Sequence, residues 1–89
     1  MTWEPIYDQV AARIKTLREA AGMTQAELAE EIGLSRTSLV NIEQGRQRVM
    51  LHQLQEIAEI LGVPLLLLVD PEPWKQFTIN QIRDAYFRE

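Results

Sequence analysis

Apolar residues recur every three or four positions along this chain. Ile6, Val10, Ile14, Leu17 and Ala21 share one helical face. Pro5 suits the first turn of that helix, where its missing N–H would have no partner, and Gly22 suits its exit. Thr24 and Glu27 have capping-box spacing, each side chain able to accept from the other's backbone N–H. A second helix is therefore predicted from about Thr24. Its apolar positions are Leu28, Ala29 and Ile32, and it stops at Gly33. Ser35 is a good N-cap for a third helix, with Leu39 and Ile42 turned inward and Gly45 at its end. Leu51, Leu54, Ile57, Ala58 and Leu61 mark a fourth helix, closed by Gly62. Pro64 opens a short fifth helix from Leu65 to about Val69. Asp70, Pro71, Glu72 and Pro73 interrupt the pattern. Ile79, Ile82, Tyr86 and Phe87 then predict a short sixth helix from about Thr78. No stretch alternates as a strand would, so the expected fold class is all-α.

With 89 residues, one compact domain is expected, with little core to spare. Sharing surface with a second copy would help it. Cysteine is absent, which excludes disulfides and thiolate metal sites, and the one histidine, His52, is too few for a histidine metal cluster. His52 is expected to be exposed in the first turn of the fourth helix. Neither a metal nor a cofactor is expected. There is no serine–histidine–acid spacing and no glycine-rich phosphate loop, so nothing suggests an enzyme. The N-terminus lacks a basic region followed by a long apolar core, and the longest apolar run, Leu65–Val69, is too short to span a bilayer. A cytoplasmic protein with no membrane partner is the expectation.

The second and third helices meet at Gly33 and Leu34. The third has two core anchors and an outer face carrying Arg36, Thr37 and Asn41. A short helix held by a neighbour, with donors near its start, is what reading base edges in the DNA major groove requires. The helix starts at Gln25 and Ser35 can offer backbone N–H groups to phosphates. Arg46 and Arg48, in the segment after the third helix, are further candidates for phosphate contact. The formal net charge of −4 runs against this, but the charge is unevenly spread. Residues 34–52 hold three arginines and one glutamate, a local +2, so the rest of the chain carries −6. Screening beyond about 10 Å makes the local sign count for more than the total. So few cations predict a modest salt dependence, corresponding to roughly four to six phosphates per dimer.

Residues 23–45, MTQAELAEEIGLSRTSLVNIEQG, closely resemble the phage repressor and Cro-type (XRE-like) helix-turn-helix family. The resemblance runs from about residue 14 to residue 69. It rests on the Thr-Gln start, small Ala29 and Gly33, the Leu39 and Ile42 anchors, and the Glu43-Gln44-Gly45 ending. It implies a five-helix DNA-binding domain, here with a short additional C-terminal helix, that works as a dimer on a two-fold site in double-stranded DNA. Carried over by position, Gln25 would contact a phosphate, and Arg36, Thr37 and Asn41 would face base edges. Ser38 would bond a phosphate or a base, and Gln44 and Arg46 would lie along the backbone. Arg18 and Glu43 match a pair that in the family often forms an internal salt bridge. The chain departs from the pattern where Val49-Met50 replaces the usual Pro-Ser before the fourth helix, which removes the usual N-cap. Leu66 and Leu67 replace polar residues in the fifth helix, and residues 70–89 lie outside the resemblance.

Residues 1–69 are thus read as the DNA-binding domain and 70–89 as a C-terminal helical extension. Five consecutive apolar residues on one short helix cannot all face one core. The C-terminal segment folds back over them, or they form a dimer interface of Leu66, Leu67 and Val69 with Trp74, Ile79, Ile82 and Tyr86, and the two readings are compatible. Trp3 is expected to pack before the first helix. The expected function is a sequence-specific transcription regulator, a repressor acting as a homodimer. The alternative is a protein-interaction module of antitoxin or anti-repressor type, acting through its apolar C-terminal surface on a protein partner.

Overall fold

The computed structural model describes residues 4–69 and 79–87. Six helices are seen there: α1 (Glu4–Ala20), α2 (Gln25–Glu31), α3 (Arg36–Glu43), α4 (Leu51–Leu61), α5 (Leu65–Val69) and α6 (Ile79–Tyr86). No strand occurs among the described residues. Trp3, Trp74 and the break at residues 70–73 lie outside them.

α1 is the axis of the fold. It packs against α3, α4, α5 and α6, while α2 packs on α3 and α4. One apolar cluster fills the space between them. Ile14, Leu17, Leu28, Leu39, Ile42, Ile57 and Leu68 are its largest fully buried side chains. They come from five helices, so no two helices alone close this core. Phe87, just past α6, packs against the same cluster.

The helix boundaries follow from local chemistry. Thr24 Oγ1 accepts from Glu27 N–H at 3.1 Å, and Glu27 Oε1 accepts from Thr24 N–H at 2.9 Å, completing the capping box of α2. Ser35 Oγ accepts from Ser38 N–H at 3.0 Å and caps α3. Met50 has no side-chain cap to offer α4. Gln53 supplies the other half of the motif instead, its Oε1 accepting from Met50 N–H at 2.9 Å.

Helical spacing does not place Ile6 and Leu51 in the core, since they are 49% and 74% exposed. Both line a shallow cleft of about 180 Å³, shared with Tyr7, Val10, Val49, Leu54 and Val69, because the first turns of α1 and α4 do not close on one another. Leu67 was assigned to an outer, self-associating face with Leu66, but it is 5% exposed and lies in the core. α5 has only five residues, and Leu67 and Leu68 are its buried side. Leu66, at 61%, is the one that points outward, with Leu65 partly so at 37%.

Arg13 holds α5 in place. It is buried, and its Nη1 donates to the Leu68 carbonyl at 3.3 Å, near the C-terminal end of α5. A cation at this end satisfies a carbonyl that the helix leaves open and favours the helix dipole.

Candidate nucleic-acid interface

α2 and α3 meet through a turn that needs a left-handed residue. Gly33 supplies it, with φ +69°, and Leu34 N–H then returns to the Ala29 carbonyl at 2.9 Å. α3 is seated by Leu39, Ile42 and Glu43, all buried. Arg36 and Thr37 are left exposed, and Asn41 is half-buried. Thr37 and Asn41, four positions apart, share one side of α3, and Arg36 stands next to Thr37 at the helix start.

Ser35 and Ser38 occupy one another. Besides accepting from Ser38 N–H, Ser35 donates its hydroxyl to Ser38 Oγ at 3.1 Å. The Ser35 hydroxyl is therefore used in the cap. What the start of α3 offers an anion is its first backbone amides and the Ser38 hydroxyl proton.

Beneath this surface lies a polar network. Arg18 Nε donates to Glu43 Oε2 at 2.7 Å, Arg18 Nη2 donates to Glu43 Oε1 at 3.1 Å, and Arg18 Nη1 donates to the Met23 carbonyl at 2.8 Å. Gln25 Nε2 also donates to Glu43 Oε1, at 3.1 Å. The other end of the Gln25 amide accepts from Arg36 Nη2 at 3.5 Å. A continuous chain of contacts thus runs from α1 through the end of α3 and the start of α2 to an exposed arginine on α3. Glu43 is the only acid in residues 34–52, and Arg18 matches its charge internally. The exposed charges of that segment are Arg36, Arg46 and Arg48, all cationic.

The segment after α3 is tied back to it. Asn41's carbonyl accepts from both Arg46 N–H (2.9 Å) and Gln47 N–H (3.2 Å). Gln44, at the C-cap of α3, is exposed beside them. Gly45 has φ +77°, and a Cβ there would lie 2.9 Å from Asp8 Oδ1. The guanidinium of Arg48 lies over the Tyr7 ring, 5.6 Å from its centroid.

Two packed helices, a tight glycine turn and an outward polar face on the second are now in view. A helix-turn-helix family profile matches residues 14–68, α3 and its supports included. The chain belongs to the helix-turn-helix family. It is 35% identical over 69 residues to an uncharacterised HTH-type transcriptional regulator from Sinorhizobium medicae, a match spanning 78% of this chain and 50% of that protein. It is 38% identical over 63 residues to the immunity repressor protein of Bacillus phage phi105, covering 71% and 44%. The crystal structure of the hypothetical transcription factor NHTF from Neisseria superposes with a TM-score of 0.73 at 28% identity, over 86% of this chain and 92% of that one. The chain spans about half the length of the curated regulators it matches first. This helix-turn-helix family is one of DNA-binding transcription regulators of the Cro and phage-repressor type, not of enzymes.

Within the helix-turn-helix frame, the structure gathers Arg36, Thr37, Asn41, Ser35, Ser38, Gln44 and Gln25 around α3, with Arg46 and Arg48 in the segment that follows. Gln25 faces two ways, toward Glu43 within and Arg36 without. Of the residues assigned to a self-associating face, Leu66 is exposed, Val69 is half-buried and lines the cleft, and Leu67 is in the core. Trp74 and the side chains of Ile79, Ile82 and Tyr86 lie outside the described residues. Arg13, Gln53 and Tyr7 were not singled out by the sequence. Gln53 had a signal, three residues after Met50. The other two had none, because their partners Leu68 and Arg48 are distant in the chain. Among the described residues no helix is long and apolar enough to cross a membrane.

Proposed function

We propose that this protein is a sequence-specific DNA-binding regulator, a repressor that binds a two-fold operator as a homodimer. The observation that carries the reading is the outer face of α3. Exposed Arg36 and Thr37, with half-buried Asn41, stand on a helix held rigidly from below by Leu39, Ile42 and the Arg18–Glu43 pair. Arginine is suited to guanine and asparagine to adenine in the major groove. Arg46, Arg48, Gln44, Ser38 and the starts of α2 and α3 would hold phosphates on either side. Two copies would set their α3 helices about 34 Å apart, in successive grooves on one side of the duplex. Occupancy of promoter DNA would then block transcription.

The deciding experiment selects bound sequences from a random duplex library at two salt concentrations. A two-fold motif with half-sites about one turn apart is expected. Replacing Arg36 and Asn41 with Ala should abolish enrichment. Undiminished specific binding in that double variant would refute the assignment of α3.

A second reading is supported by Leu66, a large apolar side chain exposed on α5. On that reading the fold serves as a protein-interaction module of antitoxin or anti-repressor type. Co-purification of one defined second polypeptide, lost on Leu66→Glu, would favour it. A stable self-dimer that buries Leu66 would count against it.

A further inference from the structure

The C-terminal end of α3 borders an open polar groove of about 340 Å³. Ala11 and Ala12 of α1 form its floor, and Gln44 and Gly45 line it on the α3 side. Asp8 lies against Gly45, its Oδ1 2.9 Å from where a Cβ would stand. Lys15 lines the groove two turns further along α1, about 10 Å from Asp8 along the helix axis. Ala11 and Ala12 come four and three positions before Lys15, so only small side chains lie under it. Glu43 also borders the groove, but Arg18 holds it with two bonds and matches its charge. Lys15 itself is exposed and makes no ion pair among the described residues. The groove is therefore positive at the Lys15 end and negative at the Asp8 end.

We infer that Lys15 and Gln44 together seat one DNA phosphate at the Lys15 end of this groove, which makes α1 part of the DNA-binding surface. The inference rests on the DNA-binding reading above, whose contacts come from α2, α3 and the segment after α3. The register of α3 supports it. Thr37, Asn41 and Gln44 stand four and then three positions apart, on one side of the helix. They span about 10 Å of its length, against a major groove about 12 Å wide. With Thr37 and Asn41 at base edges, Gln44 comes to the bank of the groove, where the phosphates run. Its exposed side chain and the Lys15 ammonium border the same opening. An ammonium is a compact charge with three donors on a flexible stem, so it meets a phosphate without needing the fixed fork of an arginine. The Asp8 carboxylate repels a phosphate and so confines the strand to the Lys15 end.

The test measures affinity for a selected duplex over a range of salt, with the parent, Lys15→Gln and Lys15→Arg. Lys15 is exposed and glutamine is a good helix former, so Lys15→Gln should melt with the parent. It should flatten the slope of log affinity against log salt by about 0.9 per protomer, and weaken binding about 5- to 10-fold per protomer near about 0.1 M salt. Lys15→Arg keeps the charge and should keep the slope. A second series replaces each phosphate of the duplex in turn with an uncharged methylphosphonate. One phosphate in each half-site should weaken the parent by the same factor as Lys15→Gln, and its replacement should add nothing in the Lys15→Gln background. An equal loss from Lys15→Gln whichever phosphate is neutralised would overturn the inference, because the lysine would be acting through net charge alone. A parent that binds with a slope unaltered by Lys15→Gln would also overturn it, while leaving the DNA-binding reading intact. A parent that enriches no duplex would refute that reading and this inference with it.

Discussion

Arg18 and Glu43, on α1 and at the end of α3, form a two-bond ion pair whose side chains are 9% and 1% exposed. A buried pair of this kind orients more than it stabilises, because desolvation offsets much of the attraction. Removing one partner is different, since it strands the other charge. Glu43→Ala should cost about 3–5 kcal/mol in urea unfolding. Replacing both, as Arg18→Met with Glu43→Leu, should recover most of that loss. If the double variant is as unstable as the sum of the single changes, the two residues are not coupled.

Gly45 combines two constraints, a left-handed φ of +77° and the nearby Asp8 carboxylate. Gly62 has the first constraint alone, with φ +72° and open space where a Cβ would go. Gly62→Ala should therefore cost about 1–2 kcal/mol for backbone strain. Gly45→Ala should cost more, and the excess should vanish when Asp8 is also replaced by Ala. Thermal unfolding of Gly62→Ala, Gly45→Ala, Asp8→Ala and Gly45→Ala/Asp8→Ala would show it. Equal costs at the two glycines would mean that Asp8 swings aside freely.

Glu27 gives the stability of α2 a dependence on pH. Its carboxylate accepts from the Thr24 backbone N–H, and that bond, then the Thr24 hydroxyl, lowers its pKa from the ordinary 4.5. A carboxyl whose pKa is lower when folded adds stability above the unfolded value, and the gain is lost as pH falls through the folded value. The contribution should thus be complete at neutral pH and fade below about pH 4.5. Glu27→Gln keeps an acceptor without the charge. Comparing its melting temperature with the parent's across pH 3 to 7 (roughly the span of carboxylate titration) should show the gap closing in acid. A constant gap would refute the role of the charge.

Leu66 and Leu67 are neighbours with opposite surroundings. Leu67→Ala should destabilise by about 2–5 kcal/mol through cavity formation. Leu66→Glu should leave the melting temperature of the protomer nearly unchanged, since its side chain is largely in water. If α5 carries the dimer contact, Leu66→Glu should also shift the sedimentation profile from dimer to monomer. An unchanged profile would move that contact elsewhere.

Much of the fold was legible before any coordinates. Helices with local signals, the Thr24–Glu27 box of α2 and the Ser35 cap of α3, begin where the sequence places them. Those signals act over three residues and need no tertiary partner. The family could be recognised for the same reason, because its signature lies in one continuous stretch from Met23 to Gly45. Periodicity was a poorer guide at helix starts. Ile6 and Leu51 have the spacing of core residues, but nothing in the pattern shows that the first turns of α1 and α4 leave a cleft between them.

What the sequence alone determined, then, was the all-helical class, the caps, the turn glycines and the polar face of α3, all matters of contacts a few residues long. Tertiary structure decided which leucine of α5 faces the core, and that Arg13 would bond its last turn. It decided that Gln25 would link Glu43 to Arg36, and that Tyr7 would lie under Arg48. Each of these joins residues at least 11 positions apart, Gln25 and Arg36 being the nearest in the chain. Such pairs form only when α1 has settled against α3, α4 and α5 and α2 against α3, because burial of their shared apolar faces, not local propensity, sets how the helices lie.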